Sequence, residues 1–372
     1  MKLAIVHDHL IQAGGAEKVL AVLQQIWPQA PTYTLLYQPE NLGQVCAKHE
    51  IKTSFLQHWP GALKHYQWFL PFMPLATESY DLFDYDVVIS SCSALAKGVI
   101  TGPQSVHICY CHTPTRYLWS DTHRYIEELK YNWLIKKIAP YFLSRLRSWD
   151  QLAAQRVDVF VANSNTVAAR IAKYYHRDSV VIYPPVDTNS FFVSDKIDKY
   201  FLTGGRLVAY KRFDLVIKAF NRLGIPLKIF GAGPEFVELK KLAKNNIEFV
   251  GNVTTAELAK LYSHAQAFIN PQLEDFGITP VEAMASGRPV IAYRAGGACE
   301  TVVDNKTGKF FDEQSWEALA DCVVRFKPEN FNSAEIKLHA NQFSTQRFVD
   351  QITALVETER QKRNNQQAFY HL

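Results

Sequence analysis

The stretch that decides the fold is Glu274-Asp275-Phe276-Gly277-Ile278-Thr279-Pro280-Val281-Glu282, which continues over 283–292 as Ala-Met-Ala-Ser-Gly-Arg-Pro-Val-Ile-Ala. The pattern predicts one carboxylate, Glu274, on a loop and the other, Glu282, in the first turn of a helix. Pro280 suits that turn, where its missing N–H costs nothing. The N–H groups from Gly277 to Thr279 would face outward at the positive end of the helix, where anions bind. An ordinary strand–loop–helix connection with incidental acids is the alternative.

Length and composition favour a two-domain globular protein. The 372 residues suffice for two domains of roughly 150–200 residues. A net charge of +4 is too small for a general nucleic-acid binder. No apolar run reaches the ~18–20 residues that span a bilayer, and residues 1–8 predict a first strand rather than a signal peptide. Six cysteines without disulfide spacing favour a reducing, cytoplasmic compartment. Cys109 and Cys111 are expected to be buried strand residues, not metal ligands.

Short apolar runs alternate with helical patterns, which is typical of α/β folds with parallel sheets. The predicted strands are 2–7, 33–36, 87–90, 106–110, 159–162, 180–182, 201–203, 227–230, 247–249, 267–269 and 290–292. The predicted helices are 15–26, 131–157, one after Asn165, 213–223, 234–243, 256–263, 279–286, 315–326 and 344–360, the last followed by a frayed polar tail. Because Pro184 and Pro185 interrupt both patterns, we predict domains over 1–183 and 184–345 and a final helical segment over 346–372.

Two glycine turns of the second domain follow predicted strands and precede helices. The first, 204–214, contains Gly205, Arg206 and Lys211. Arg206 offers a planar fork for phosphate oxygens and Lys211 a compact point charge, so together they could neutralise a diphosphate without a metal ion. Solvated surface charge is the alternative. The second turn, which begins at Gly231, is expected to approach a nucleotide.

Two segments of the first domain follow strands in the same way. Residues 7–18 contain Gly14 and Gly15, which let backbone approach a ligand at a helix N-terminus. The segment has neither a dinucleotide nor a Walker pattern, and a plain tight turn is the alternative. Residues 110–117 contain His112, a candidate partner of a sugar hydroxyl, and Arg116, a candidate partner of an acceptor phosphate. A buried structural histidine is the alternative there.

Aromatic and basic residues mix over 55–60, 68–74 and 131–149. Such a surface suits an anionic lipid interface. Core packing of a long helix explains the same composition equally well.

Taken together, these residues resemble retaining glycosyltransferase family 4 over almost the whole chain. The carboxyl half carries the most specific motifs: Gly205-Arg206 with Lys211, Glu274 through Val290, and Gly296-Gly297 followed by Glu300-Thr301-Val302. The segments 107–117 and 210–214 look like the WbaZ-like, GDP-mannose-dependent mannosyltransferases of surface polysaccharide and O-antigen synthesis. The resemblance implies the GT-B fold, in which two Rossmann-like doubly wound domains face each other across a cleft.

The resemblance also implies roles for individual residues. Glu274 would contact the hydroxyls of the donor sugar, Glu282 the ribose diol, and Arg206 with Lys211 the phosphates. Gly277 and Ile278 would offer backbone N–H groups, with Phe276 and Thr279 beside them, and Gly14 and Gly15 would meet the phosphates when the cleft closes. We expect Arg206, Lys211, Glu274 and His112 to carry the reaction, and His112 and Arg116 to bind the acceptor. Asp275 stands where the family commonly has glycine.

The expected function is that of a retaining hexosyltransferase. It would move mannose from GDP-mannose to a saccharide acceptor, lipid-linked, with no metal or other cofactor required, and it would be cytoplasmic or peripheral at the inner face of the membrane. The leaving phosphate oxygen would accept the acceptor's proton, and closure about Pro184-Pro185 would exclude water. Other readings are a UDP-sugar transferase, an epimerase, a phosphorylase, or a nucleotide-binding scaffold without catalysis.

Overall fold

The computed structural model describes residues 1–42, 49–122 and 133–370. The chain divides into two compact units. Unit 1 comprises Met1–Tyr183 and Phe348–Leu372, and unit 2 comprises Pro184–Arg347. Each unit is built around one parallel sheet with helices packed on it.

Unit 1 contains seven strands and the helices that pack on them within the described residues. The strands are β1 Leu3–His7, β2 Thr32–Thr34, β3 Ile51–Thr53, β4 Val87–Cys92, β5 Val106–Cys111, β6 Val159–Ala162 and β7 Ser179–Val181. The helices are α1 Gly15–Ile26, α2 Met73–Glu78, α3 Trp133–Gln155 and α4 Asn165–Tyr175. Short 3-10 turns cover Pro39–Asn41, Phe55–His58, Tyr66–Phe72 and Ala96–Gly98. The central strands β1, β4 and β5 are buried along their whole length, as expected for a sheet covered on both faces.

Unit 2 repeats this architecture. Its strands are β8 Phe201–Gly204, β9 Leu227–Phe230, β10 Ile247–Gly251, β11 Phe268–Asn270, β12 Val290–Tyr293 and β13 Gly308–Phe311. Its helices are α5 Phe213–Leu223, α6 Phe236–Leu242, α7 Thr255–His264, α8 Ile278–Ala285, α9 Ala298–Thr301, α10 Trp316–Arg325 and α11 Ser333–Ala340. Helix α12, Thr345–Tyr370, begins in unit 2 and runs into unit 1. Further 3-10 turns cover Thr188–Ser190, Ala209–Lys211, Pro328–Asn330 and Asn341–Phe343.

The two sheets have the same parallel order over six strands, and the first sheet adds a seventh strand, β7. The first runs β3-β2-β1-β4-β5-β6-β7 and the second β10-β9-β8-β11-β12-β13. In each, the order reverses direction beside the first strand, between β1 and β4 and between β8 and β11. Such a switch point opens a crevice at the carboxyl ends of the strands, where doubly wound sheets bind ligands. The expected α/β class with two Rossmann-like sheets is confirmed.

Several predicted boundaries and elements were wrong. Strand β2 ends at Thr34 rather than at 36, and β3, β13, α2, α9 and α11 were not predicted. The final helix continues to Tyr370 instead of fraying after Arg360. Residues 361–370 contain no glycine or proline to end it, and the Arg363 guanidinium fastens it to Asp158 and to the carbonyl of Ser105, each at 3.0 Å. The predicted start of α3 at Tyr131 lies outside the described residues.

The burial of two cysteines agrees with one other expectation. Cys109 and Cys111 are buried in β5, as predicted. Over the described ranges, no helix has both the length and the hydrophobicity needed to cross a bilayer.

Candidate functional site

An ion pair between Lys211 and Glu274 lies at the switch point of the unit 2 sheet. Lys211 follows β8 and Glu274 follows β11, and these two strands are neighbours in the sheet. The Lys211 Nζ is 2.9 Å from Glu274 Oε1, and the two side chains are only 12% and 18% exposed. Since ion pairs are stronger when partly shielded from water, this is a concentrated pair of opposite charges in the crevice where a ligand would bind.

Two glycine turns form the backbone around this ion pair. A Cβ on Gly205 would lie 3.3 Å from Lys211 Nζ, so the ammonium lies directly over that turn. The turn is held to the one after β9 by hydrogen bonds from Gly205 N to Phe230 O (3.1 Å) and from Leu207 N to Ala232 O (2.8 Å). Gly231 has φ +104°, and a Cβ there would approach the Gly205 carbonyl oxygen to 1.9 Å. Only glycine fits this position.

Helix α8 begins beside the same carboxylate. Its N-cap is Gly277, with φ +89°, and a Cβ on Gly277 would be 3.5 Å from Glu274 Oε2. The helix therefore starts with its first N–H groups, from Ile278 and Thr279 onward, next to the Lys211–Glu274 pair. This is the arrangement that binds anions at helix N-termini.

Glu282 is the fifth residue of α8, so it lies in the second turn, and the prediction that it lies in the first turn was wrong. The helix begins at Ile278 because the left-handed Gly277 is its N-cap. Glu282 is 5% exposed, and the Tyr262 hydroxyl donates to its Oε2 at 3.4 Å. Tyr262, in α7, is fully buried, and burial followed by the charge of Glu282 raises the pKa of this phenol well above its ordinary value. It therefore remains a hydrogen-bond donor at physiological pH.

Other polar atoms near β11 and α8 are buried without hydrogen-bond partners among the described residues. They include Thr279 Oγ1, Asn270 Oδ1 and both amide atoms of Gln272. Buried polar groups are normally satisfied, so these atoms fit a site that binds a polar ligand. Phe276, by contrast, is apolar. Its ring is buried and packs against Phe343 at 5.5 Å between centroids, so its backbone is the part nearest the turn at Gly277. Arg206 is exposed on the turn after β8.

The candidate residues of unit 1 lie at the carboxyl ends of β1 and β5. Gly14 is the extended N-cap of α1, with Gly15 as the first helical residue, and both are exposed. His112 follows β5 and is partly buried, with its backbone held by Cys92 O (2.8 Å) and Asn163 Nδ2 (2.9 Å). Arg116 lies four residues further on, partly exposed.

Burial lowers the pKa of His112 to about 4. His112 is therefore neutral at physiological pH. Its Nε2 lies 2.8 Å from Ser91 Oγ at the end of β4. This hydrogen bond gives His112 a structural role, and that role is compatible with binding a ligand.

The Asp8 carboxylate, at the end of β1, is fully occupied by backbone. It accepts from the N–H groups of Ser93, Ala94, Leu95 and Ala96 at 2.6, 2.9, 2.7 and 2.7 Å. Burial raises its pKa, but the neighbouring histidines and these N–H groups outweigh burial and hold the pKa below its ordinary value. Asp8 fixes the loop after β4 and has no capacity left for a ligand.

Sequence reasoning missed four polar residues of these sites: His7, Ser91, Tyr262 and Gln272. Ser91 gave one signal, because it and Ser90 are hydroxyl residues near the carboxyl end of a strand that begins with three apolar residues. Tyr262 reads as an ordinary apolar position of an amphipathic helix, and its contact with Glu282 depends on tertiary packing.

Two family models match the chain. The model described as "Glycosyltransferase Family 4" covers residues 13–190, and that described as "Glycosyl transferases group 1" covers residues 188–341. The chain belongs to glycosyltransferase family 4. The predicted GT-B fold of this family is also confirmed by a solved structure, Anabaena Alr3699/HepE in complex with UDP and glucose. This family 4 chain matches it with a TM-score of 0.71 at 18% identity, over 96% of this chain and 99% of that one.

Curated relatives of this family 4 chain share limited identity with it. The GDP-mannose-dependent alpha-(1-6)-phosphatidylinositol monomannoside mannosyltransferase of Mycobacterium tuberculosis is 38% identical over 137 residues, 32% of this chain and 36% of the relative. The O-antigen chain mannosyltransferase RfbU of Salmonella typhimurium is 29% identical over 203 residues, 47% of this chain and 56% of the relative. The matched region thus spans about a third of the mycobacterial relative and about half of RfbU.

Proposed function

We propose that this protein is a retaining glycosyltransferase that transfers mannose from GDP-mannose to a saccharide acceptor in surface polysaccharide synthesis. The observation that carries the proposal is the shielded Lys211–Glu274 ion pair, set between two glycine turns and the start of α8 at a sheet switch point. The pair suits a ligand that has a diphosphate at one end and hydroxyls at the other. The phosphates replace Glu274 as the partner of the Lys211 ammonium, and the freed carboxylate accepts from sugar hydroxyls.

The chain's own charges supply the stabilisation that the reaction needs. As the bond between the anomeric carbon and the phosphate oxygen breaks, negative charge develops on the diphosphate. Lys211, Arg206 and the N–H groups at the start of α8 oppose that charge in a partly shielded crevice, where preorganised charge is most effective. The acceptor oxygen bonds to the anomeric carbon on the same face, and its proton passes to the departing phosphate oxygen. Glu282, oriented by Tyr262, holds the ribose diol.

Replacing Lys211 tests the phosphate role. Lys211→Ala should lower kcat/KM a hundredfold or more, the scale seen for lost charge-stabilising donors. Lys218→Ala is the matched control, because Lys218 also pairs with a carboxylate, Asp214 at 3.9 Å, but is 51% exposed on α5. The control should keep full activity. Unchanged kinetics in Lys211→Ala would refute the phosphate role.

Donor identity is tested by ligand-dependent stability. A ligand that binds only the folded protein at a hundred times its Kd stabilises it by about 2.7 kcal/mol. GDP-mannose, UDP-glucose and ADP-glucose should therefore be compared at equal concentrations by thermal unfolding. GDP-mannose is expected to give the largest rise in Tm, in line with the mycobacterial relative named above. UDP-glucose is related to the ligands of the Anabaena structure. A larger rise with UDP-glucose would show that GDP-mannose is not the preferred donor, and it would not contradict the proposal of a glycosyltransferase.

We also propose that the acceptor is lipid-linked and that unit 1 docks on the cytoplasmic face of a membrane. The supporting surface is an aromatic–basic surface formed by residues 55–76 and α3, whose buried side chains share one hydrophobic cluster. Its exposed side chains include Trp68 (63%), Phe72 (46%), Tyr141 (59%) and Phe142 (50%). Large aromatic residues exposed beside lysines and arginines suit an anionic interface.

Vesicle binding tests this docking. The protein should co-sediment with vesicles of phosphatidylcholine and phosphatidylglycerol but not with pure phosphatidylcholine, and binding should weaken as salt rises. The double variant Trp68→Ala, Phe72→Ala should lose binding. Phe83→Ala, which removes an aromatic residue that is 58% exposed outside this surface, should retain it. Equal binding by both variants would refute the assignment.

A further inference from the structure

Four polar side chains form a continuous chain of contacts from helix α1 to the end of β5. Glu17 Oε1 in the first turn of α1 lies 3.5 Å from His7 Nε2. His7 Nδ1 lies 3.1 Å from Ser91 Oγ, and Ser91 Oγ lies 2.8 Å from His112 Nε2. The carboxyl ends of three neighbouring strands, β1, β4 and β5, are thus joined by a single relay.

The relay is largely sealed from water. His7 is 3% exposed, Glu17 7% and Ser91 0%. Burial raises the pKa of Glu17, but its interactions, led by the hydrogen bond with His7, outweigh burial, so the pKa lies below the ordinary value and Glu17 is a carboxylate at neutral pH. His112, with its pKa lowered to about 4 by burial, is neutral there.

The chemistry of these groups gives the relay a direction. A neutral imidazole carries one ring proton and a carboxylate only accepts hydrogen bonds, so Glu17 places the single proton of a neutral His7 on Nε2 and leaves Nδ1 as an acceptor. Ser91 has one hydroxyl proton and donates it to that Nδ1. The Ser91 oxygen then accepts from His112, which places the His112 ring proton on Nε2. Because neutral imidazole carries one proton, Nδ1 of His112 is left bare.

We propose that Glu17, His7 and Ser91 are positioning residues that hold His112 in its Nε2–H tautomer, so that its Nδ1 accepts a hydrogen bond from a hydroxyl of the sugar substrate. Among the described residues, no protein donor contacts that Nδ1 atom. The inference rests on the proposed function in one respect only, which is that a sugar is the ligand at this edge of unit 1. The setting of the tautomer depends on this chain alone.

A second serine–histidine pair on the opposite side of β4 provides a matched control. Ser90 Oγ lies 2.8 Å from His107 Nε2, the same distance as between Ser91 and His112, and both residues are fully buried. The Asp158 carboxylate accepts only from the backbone N–H of His107, at 2.8 Å, and Nδ1 of the His107 ring has no hydrogen-bond partner among the described residues. Removing the Ser90 hydroxyl therefore costs a comparable buried hydrogen bond without touching the relay.

The tautomer can be observed directly, without substrate. Ring nitrogen-15 NMR spectra of histidine-labelled protein at pH 7.5 distinguish a protonated from a bare ring nitrogen, and comparison with His112→Gln assigns the signals of His112 among the twelve histidines. Wild type and Ser90→Ala should show His112 with a protonated Nε2 and a bare Nδ1. Ser91→Ala and Glu17→Gln should show a mixture of both tautomers, and Ser91→Thr, which restores the hydroxyl, should return His112 to the single form.

Kinetics then connect the tautomer to the substrate. With half of His112 offering a donor instead of an acceptor, Ser91→Ala should lower kcat/KM about twofold, the loss expected when half of the molecules are competent to bind, while Ser90→Ala keeps its activity. A single unchanged tautomer in both Ser91→Ala and Glu17→Gln overturns the proposal, as does an Nδ1–H tautomer in wild type. If the NMR result is as expected but no sugar is transferred from any donor, the proposed function fails and the tautomer assignment stands.

Discussion

Asp150 is the residue whose substitution should destabilise unit 1 most sharply. Its carboxylate is fully buried in α3 and accepts from Lys97 Nζ (2.5 Å), Thr115 Oγ1 (2.9 Å), Trp119 Nε1 (2.8 Å) and Tyr175 OH (2.9 Å). Burial lowers the pKa of Lys97, but the Asp150 charge outweighs it and holds the pKa well above its ordinary value. The Lys97 ammonium is therefore charged at neutral pH, inside the unit and beside the Asp150 side chain.

The size of the effect follows from this burial. Asp150→Asn keeps a side chain of the same shape but leaves the Lys97 ammonium, which is 1% exposed, without an opposite charge. Breaking a buried ion pair on one side costs about 3–5 kcal/mol. The double variant Asp150→Asn, Lys97→Met removes the uncompensated charge as well. It should therefore be more stable than the single variant Asp150→Asn, a clear departure from additivity.

Urea unfolding followed by tryptophan fluorescence measures this effect, because six of the seven tryptophans belong to unit 1 and only Trp316 to unit 2. Asp84→Ala is the control: Asp84 pairs with Lys2 at 4.0 Å with both side chains more than two-thirds exposed, and its loss should change stability by less than about 0.5 kcal/mol. If Asp150→Asn cost less than about 1 kcal/mol, or if the two substitutions were simply additive, the reasoning from a buried charge would be wrong.

Three further predictions concern other parts of the chain. Burial lowers the pKa of His107 to about 3 from an ordinary 6.5, so between those values the unfolded chain binds a proton that the native ring does not. Stability should fall by up to about 1.4 kcal/mol for each pH unit below 6.5; a urea midpoint equal at pH 7 and pH 4.5 would contradict this. Gly231→Ala should abolish the rise in Tm with GDP-mannose, since its Cβ would meet a carbonyl oxygen at 1.9 Å, whereas Gly224→Ala, with φ +69° and nothing within 4 Å, should cost only about 1 kcal/mol and keep it. Tyr262→Phe should raise the KM for the nucleotide-sugar two- to tenfold with kcat unchanged, because Glu282 loses about one hydrogen bond. An unchanged KM would show that Tyr262 does not contribute to binding.

The sequence predicted the sheets better at their centres than at their edges. Buried central strands such as β1 and β5 are apolar runs that stand out from their surroundings. The edge strand β3 has only three residues, Ile51-Lys52-Thr53, all of them half-buried. In the second sheet, the edge strand β13 combines Gly308 and Lys309 with two aromatic residues. Neither has an apolar run, because an edge strand is covered by fewer neighbours.

The candidate site was predictable residue by residue but not as pairs. Lys211, Glu274 and Gly277 could each be named from position after a strand or before a helix. Their contacts could not, because Lys211 and Glu274 meet only if β8 and β11 are neighbours, an order that short strands do not specify in advance. The relay through Ser91 has the same origin, since it needs β1, β4 and β5 side by side.

The two sheets share one strand order, but the carboxylates at their switch points have different partners. Those partners determine which carboxylate can exchange them for a ligand. Asp8 in unit 1 is held by four backbone N–H groups at 2.6–2.9 Å, so displacing it would leave four buried donors unsatisfied at once. Glu274 in unit 2 has the single ammonium of Lys211 as its ion-pair partner, which an incoming phosphate can take over if sugar hydroxyls donate to the freed carboxylate. The carboxylate of unit 1 therefore fixes a loop, whereas in the proposed reaction the carboxylate of unit 2 changes partners.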